Sequence, residues 1–176
     1  MTRQSKITLR AADASHAKRI HALITANQQE GKLLPRTLEE VTVHAERFVV
    51  AVRGRAIVGC AELAPLSPQV AEVRSLAVDG KSRHLGVGAM LVDEVRARAR
   101  REGFERFTAF THTPGYFSRM GFSIVPHLWV TEKIHADCVK CPLFRTCGQY
   151  AMVTSLEDEK GTRDHGVTVH ASSPHA

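Results

Sequence analysis

The chain has 176 residues, 43% of them apolar and 24% charged, with a formal net charge of +6. That length suits one compact domain, and no apolar stretch approaches the roughly 20 residues that span a bilayer. The polar N-terminal region has no secretory signal core, so a cytoplasmic location without membrane association is expected, while the positive charge favours anionic partners.

Ile7–Arg10 reads as a short strand. A helix follows, with Asp13 or Ser15 as its N-cap, Ile20, Leu23 and Ile24 at helical spacing, and Gly31 as a stop signal. Thr37 and Glu40 fit a capping box for a second helix, Leu38–Glu46. Phe48–Val52 and Ala56–Leu63 are apolar, β-branched runs around Arg53-Gly54-Arg55, the pattern of a β-hairpin. Pro65 and Pro68 mark a loop before the strand Ala71–Val78. In that strand the apolar phase slips: Val73 is followed by Leu76 and Val78, not Ser75. A β-bulge produces such a slip, and bulges often lie beside active sites.

Asp79–Gly86 is a polar, glycine-bearing loop. Val87–Glu102 is helical, with Leu91, Val95 and Ala99 on one face, and Gly103 ends it. Arg96, Arg98, Arg100 and Arg101 on this helix read as a solvated face rather than a DNA-binding surface. Aromatic residues are only 6% of the chain. They form no stacking series with basic residues, which argues against a nucleic-acid partner. Phe107–Thr111 is a strand, Pro114 begins a short helix Gly115–Met120 ended by Gly121, Phe122–Val125 is extended, and Tyr150–Val153 is a last strand. The order β-α-α-β-β-β-α-β-α-β-β implies an α/β fold with a mixed, mostly antiparallel sheet flanked by helices. Residues 1–156 are read as one domain. The tail from Glu157 to Ala176, poor in large apolar residues, is expected to be disordered.

Chemistry concentrates at Arg83-His84-Leu85-Gly86-Val87-Gly88, directly before the long helix. Glycines let backbone amides approach a ligand. The first N–H groups of a helix lack internal partners and carry the positive end of its dipole. A pyrophosphate satisfies both, and Lys81 and Arg83 add charge.

The segment Glu72–Asp79 through Gly88 resembles the acetyl-CoA-binding motif of the GNAT acetyltransferase superfamily. Gly115–Phe122 resembles its second motif, a helix before a Gly-Phe pair. Gly80 stands where the family usually has Pro. Within the family, the stretches Leu34–Glu40, Glu72–Val78 and Asp137–Pro142 are closest to short bacterial N-acetylglutamate synthases, which lack the amino-acid-kinase domain. The resemblance implies a GNAT-type fold, acetyl-CoA as cosubstrate held by Leu76, Ala77, Val78, Arg83, His84, Leu85, Gly86, Val87, Gly88 and Ala89, and direct attack of an amine on the thioester.

An α-amino group has a pKa of about 8 and must lose a proton to attack. Glu72, beside the cofactor loop, is the expected base and Glu62 the alternative; Glu72 also reads as a partner for Arg74. Backbone amides near Leu76–Val78 would bind the thioester oxygen as charge grows there. The family's tyrosine commonly protonates the leaving thiolate. Tyr116 stands five residues before Gly121 rather than the usual four, so it serves as general acid or simply packs; Ser118, His112 or water are the alternatives. A glutamate acceptor needs cations for its two carboxylates, and Arg36 and Arg74 are the candidates, with Lys32 behind them. Other acceptors consistent with the fold are a polyamine, an antibiotic amine or a protein N-terminus. A non-catalytic acyl-CoA or metal sensor is the reading from another class. Oligomeric state is left open between monomer and homodimer.

Of the four cysteines, Cys138, Cys141 and Cys147 cluster near His135. This segment, residues 135–147, could supply a zinc site or hold an iron–sulfur cluster. The alternative is three reduced thiols, some packed as small apolar residues.

Overall fold

The computed structural model describes residues 6–30 and 33–157. Gly31, Lys32 and the expected disordered tail from 158 onward therefore lie outside the described residues. The elements in chain order are β1 (Ile7–Ala11), α1 (Ala17–Gln29), α2 (Leu38–Val43), β2 (Phe48–Arg53), β3 (Ala56–Pro65), β4 (Val70–Val78), α3 (Val87–Arg101), β5 (Arg106–Thr111), α4 (Pro114–Ser118), β6 (Ser123–Val125), α5 (Thr131–Ala136) and β7 (Tyr150–Ser155). The seven strands form one sheet in the order β1-β2-β3-β4-β5-β7-β6. Its one parallel pair is β4–β5, joined by α3 as a crossover.

Local chemistry explains most boundaries. Asp13 caps a 3-10 turn that leads into α1, and His16 closes the capping box. Thr37 and Glu40 form the expected capping box of α2. That helix stops at Val43, earlier than expected, because Val41-Thr42-Val43 is a β-branched run and a second 3-10 turn, Ala45–Arg47, feeds β2. Pro114 sits at the N-terminal end of α4. The helix α5 and the turns around it were not legible as elements.

Alternation along the strands sorts side chains onto two faces. On one face Val49, Ala61, Leu63, Ala71, Val73, Phe107, Ala109 and Met152 pack against Val87, Leu91, Val92, Val95 and Ala99 of α3. On the other, Phe48, Val50, Val52, Cys60 and Ala77 pack against Ala17, Ile20 and Ile24 of α1 and Val41 of α2. The arginines of α3 are committed within the molecule. Arg96 lies over the Phe122 ring at 5.0 Å, Arg98 pairs with Glu102 at 2.6 Å, Arg101 with Glu94 at 2.9 Å, and Arg100 donates to the Leu156 carbonyl at 3.4 Å.

Two irregularities position the site. Between Cys60 and Glu62, β3 advances two residues while its partner runs from Ala77 to Arg74, one residue more. The extra residue is the expected bulge, and Ser75 takes a left-handed φ of 49° there. The β4–β5 ladder then covers only Val70–Glu72 against Arg106–Thr108. Beyond Glu72, β5 no longer pairs with β4, which leaves main-chain polar groups of the bulged half facing a gap in the sheet.

Candidate active site

The C-terminal end of β4 and the start of α3 form the first half of the site. Asp79 caps a 3-10 turn, Gly80–Ser82, by accepting from the Lys81 N–H at 3.1 Å. His84 and Gly86 then adopt left-handed φ values of 65° and 76°. Left-handed residues in such a loop turn successive N–H groups toward one concavity. Gly86 is the N-cap of α3 and offers no side-chain cap. The helix's first intrahelical bond is Met90 N–H to Gly86 C=O at 3.0 Å, so the Val87, Gly88 and Ala89 amides have no partner in the helix. No acidic residue stands in the first turn. The unpaired donors expected at this helix start are thus present as main-chain geometry.

The two glycines act differently. Gly86 is needed for its φ, and space around it is open. At Gly88 a Cβ would lie 2.5 Å from the Tyr116 hydroxyl, so this glycine makes room for the tyrosine. Arg83 also serves otherwise than expected. Its guanidinium pairs with Glu30 at 2.7 Å, and it donates to Asn27 Oδ1 at 3.2 Å and the Val78 carbonyl at 3.3 Å. It bolts the end of α1 to the end of β4 rather than presenting a free charge.

Tyr116 packs edge-on to Phe117, with ring centroids 5.3 Å apart. Its hydroxyl is buried and has no hydrogen-bond partner among the described residues. Burial raises its pKa, with the Asp93 carboxylate adding to the effect, so the phenol keeps its proton through neutral pH. A protonated, unpartnered hydroxyl at the first turn of α3 fits a donor to a group arriving there. Ser118 and His112 are exposed.

The second half lies on the α1/α2 face of the sheet. Glu62 is the register partner of Arg74, and Glu72 lies two residues before Arg74; all three share a face. Glu62 and Glu72 are 1% and 3% exposed. Burying carboxylates is costly unless they are paired, and both are. Arg36 Nη1 donates to Glu62 Oε2 at 2.9 Å and to the bulge residue Ser75 Oγ at 3.2 Å. Arg74 Nε donates to Glu72 Oε2 at 2.6 Å. Lys133 Nζ reaches both Glu72 oxygens at 2.9 and 2.8 Å and Asp137 Oδ2 at 2.8 Å. Arg74 Nη2 also contacts Asp137 Oδ2. Burial opposes the Arg74 charge, but Glu72 and Asp137 outweigh it and its pKa is raised.

The structure therefore brings Glu62, Glu72, Arg36 and Arg74, all candidates from the sequence, together. It adds Ser75, Lys133 and Asp137, which the sequence reading gave no role. The i,i+4 spacing of Lys133 and Asp137 was the available signal. Lys32 is outside the described residues.

Of the two readings of residues 135–147, the metal set is not assembled among the described residues. Among the described residues, no group of three or more His, Cys, Asp or Glu is placed to hold a metal ion. There α5 ends at Ala136, and two successive 3-10 turns, Cys138–Lys140 and Phe144–Thr146, follow it. Cys138 and Cys141 are half-buried and Cys147 is exposed, all as free thiols. Burial raises the Cys138 thiol pKa, and the nearby Lys133 charge opposes the rise.

Among solved structures, N-acetylglutamate synthase from Neisseria gonorrhoeae, complexed with coenzyme A and N-acetyl-glutamate, matches with a TM-score of 0.78 and 23% identity, over 89% of this chain and 36% of that one. Rv2747 from Mycobacterium tuberculosis, complexed with CoA, matches with a TM-score of 0.74 and 22% identity, over 84% and 98%. An uncharacterized N-acetyltransferase of Chlorobaculum tepidum is 35% identical over 84% of this chain and 93% of its own length. The amino-acid acetyltransferase of Pectobacterium atrosepticum is 30% identical over 68% of this chain, which spans only 27% of that longer protein. The acetyltransferase (GNAT) family pattern covers residues 14–122. The chain belongs to this family of acetyl-CoA-dependent N-acetyltransferases.

Proposed function

We propose that the protein moves the acetyl group of acetyl-CoA to the α-amino group of an amino acid, and that L-glutamate is the acceptor. The setting would be the first step of arginine biosynthesis. The observation that carries this reading is the bulge at Ser75, with the uncapped start of α3 on its cofactor side and Arg36 and Arg74 on its acceptor side. Relatives named amino-acid acetyltransferase and a structural neighbour named N-acetylglutamate synthase support it.

The amides of Val87, Gly88 and Ala89 bind the diphosphate of the cosubstrate, with the helix dipole behind them. The thioester then lies along the unpaired half of β4. Amides of Leu76–Val78 stabilise the oxyanion that forms as the amine attacks. The amine proton leaves to a buried carboxylate. Glu72 has both oxygens engaged, by Arg74 and Lys133. Glu62 carries one cation and is tied through Arg36 to the bulge. We therefore place the base at Glu62, directly or through water, with Glu72 organising the pocket. Tyr116 donates its proton to the departing thiolate. Arg36 and Arg74 take the acceptor's two carboxylates.

A second reading rests on charge. Arg36, Arg74 and Lys133 are already balanced by Glu62, Glu72 and Asp137, a ledger that suits an amino acid with a neutral side chain. Release of coenzyme A with a panel of amines separates the two. Turnover with L-glutamate at millimolar levels is expected. Faster turnover with glutamine, a polyamine or a peptide N-terminus would reassign the acceptor, and no turnover with any amine would favour a sensor.

A further inference from the structure

We infer that Lys133 and Arg74 form one subsite for a carboxylate on the acceptor's side chain, and that Asp137 is its resident occupant, displaced when the acceptor binds. The inference deepens the acceptor reading above and rests on it for the reaction, though not for the binding.

Glu72, Arg74, Asp137 and Lys133 form a closed ring in which two anions alternate with two cations. Lys133 Nζ bridges Glu72 and Asp137, at 2.8 Å to each, while Arg74 bridges the same two carboxylates from the other side. The four corners are not equivalent. The side chains of Glu72, Lys133 and Arg74 are 4%, 14% and 24% exposed, against 38% for Asp137. Solvent, and therefore a ligand, reaches the ring at the Asp137 corner.

Both cations keep a second anchor if Asp137 leaves. Arg74 Nε stays on Glu72 at 2.6 Å. Lys133 stays on both Glu72 oxygens and lies over the Phe110 ring at 5.2 Å, within the range of a cation–π contact. Asp137 has no such fixture. It ends α5, a six-residue helix, immediately before the Cys138–Lys140 turn. Exchanging its carboxylate for one from the acceptor preserves the charge balance of the ring. An acceptor amide could not make that exchange, because two cations would then face one anion. The ring thus resolves the charge objection to an acidic acceptor and predicts discrimination between glutamate and glutamine. The position also suits: Arg74 immediately precedes the bulge residue Ser75, whose hydroxyl Arg36 holds from the other side, so two cationic sites flank the point of attack.

The test is titration calorimetry of glutarate, a dicarboxylate without an amine, into the full chain saturated with coenzyme A. Asp137→Asn removes the occupant's charge and should bind glutarate about fivefold more tightly than wild type, as expected for loss of one partly exposed competitor. Lys133→Met should bind it at least about tenfold more weakly, with coenzyme A affinity retained. Equal or weaker glutarate binding by Asp137→Asn overturns the inference, as does wild-type affinity in Lys133→Met. Asp137 is on the exposed corner, so its variant carries the test even if Lys133→Met folds poorly. Turnover is measured alongside. If wild type acetylates L-glutamate but Asp137→Asn gains no affinity, the subsite is wrong and the acceptor reading stands. If wild type does not use L-glutamate yet the affinities shift as stated, the acceptor reading falls and the carboxylate subsite stands.

Discussion

The two halves of this site are made of different material. The half proposed for the cofactor is main chain: an uncapped helix start, two left-handed residues and a bulged strand with one free edge. The half proposed for the acceptor is side chain: three cations and three carboxylates drawn from the α2 entry, β3, β4 and α5. A main-chain site is fixed by a few contiguous residues and changes little when side chains change. A side-chain site is assembled from distant segments and can be retuned by single substitutions. One fold can thus keep its acyl donor while its acceptors vary.

The contrast breaks most sharply at Gly86. Aspartate there would sit at the N-cap of α3 and offer its own carboxylate to the amides that the diphosphate needs. Gly86→Asp should therefore weaken coenzyme A binding by roughly 100-fold or more, with like charge facing the ligand, and should lower the thermal midpoint modestly, because a side chain at a φ of 76° is strained. Calorimetry reads the first and a melting curve the second. Undiminished affinity would place the cofactor elsewhere.

The acceptor half separates its two carboxylates next. Glu62→Gln should lower kcat about 100-fold, the lower range for loss of a general base. Glu72→Gln should act mainly on the acceptor KM, because Glu72 holds Arg74 and Lys133 in place. Steady-state kinetics in both substrates checks this. The opposite pattern, with kcat lost in Glu72→Gln and KM lost in Glu62→Gln, would return the base to β4.

The same contrast explains what the sequence made legible. The capping box at Thr37, the hairpin at Gly54, the bulge from the phase slip at Leu76 and the start of α3 are contiguous patterns with local physics behind them. The tie of Arg83 to Glu30 is not, because it spans 53 residues. Nor is the meeting of Lys133 with Glu72 across 61 residues. The cysteine segment shows the limit of spacing: it left a metal site and three reduced thiols both open, and among the described residues no metal-holding group forms. Gly88 was read as room for a ligand, and it is also room for Tyr116, which only the fold reveals.

Tyr116 stands where the halves meet, and it sharpens the comparison more gently. Tyr116→Phe keeps the ring and its packing on Phe117 while removing the donor. It should lower kcat about tenfold, below the usual span for general acids because water can also protonate a thiolate, and leave coenzyme A affinity within about twofold. An unchanged kcat would make Tyr116 a packing residue that happens to point at Gly88.

The smallest effect concerns what lies beneath the bulge. Cys60 is fully buried, and its thiol donates to the Ser75 carbonyl at 3.6 Å. Burial pushes its pKa up from 9.0 to about 12, and the neighbouring Glu62 charge adds to this. The folded state therefore holds the proton more tightly than the unfolded chain. That contribution to stability is complete below pH 9 and is lost as pH rises from 9.0 towards about 12. Wild type should lose thermal midpoint more steeply above pH 9 than Cys60→Ala, whose packing loss is the same at every pH. Melting curves between about pH 7 and 10.5 bracket the onset of this loss. Parallel curves for the two proteins would mean that the thiol under the bulge is hydrated, and the floor shared by the two halves would be wetter than its buried neighbours imply.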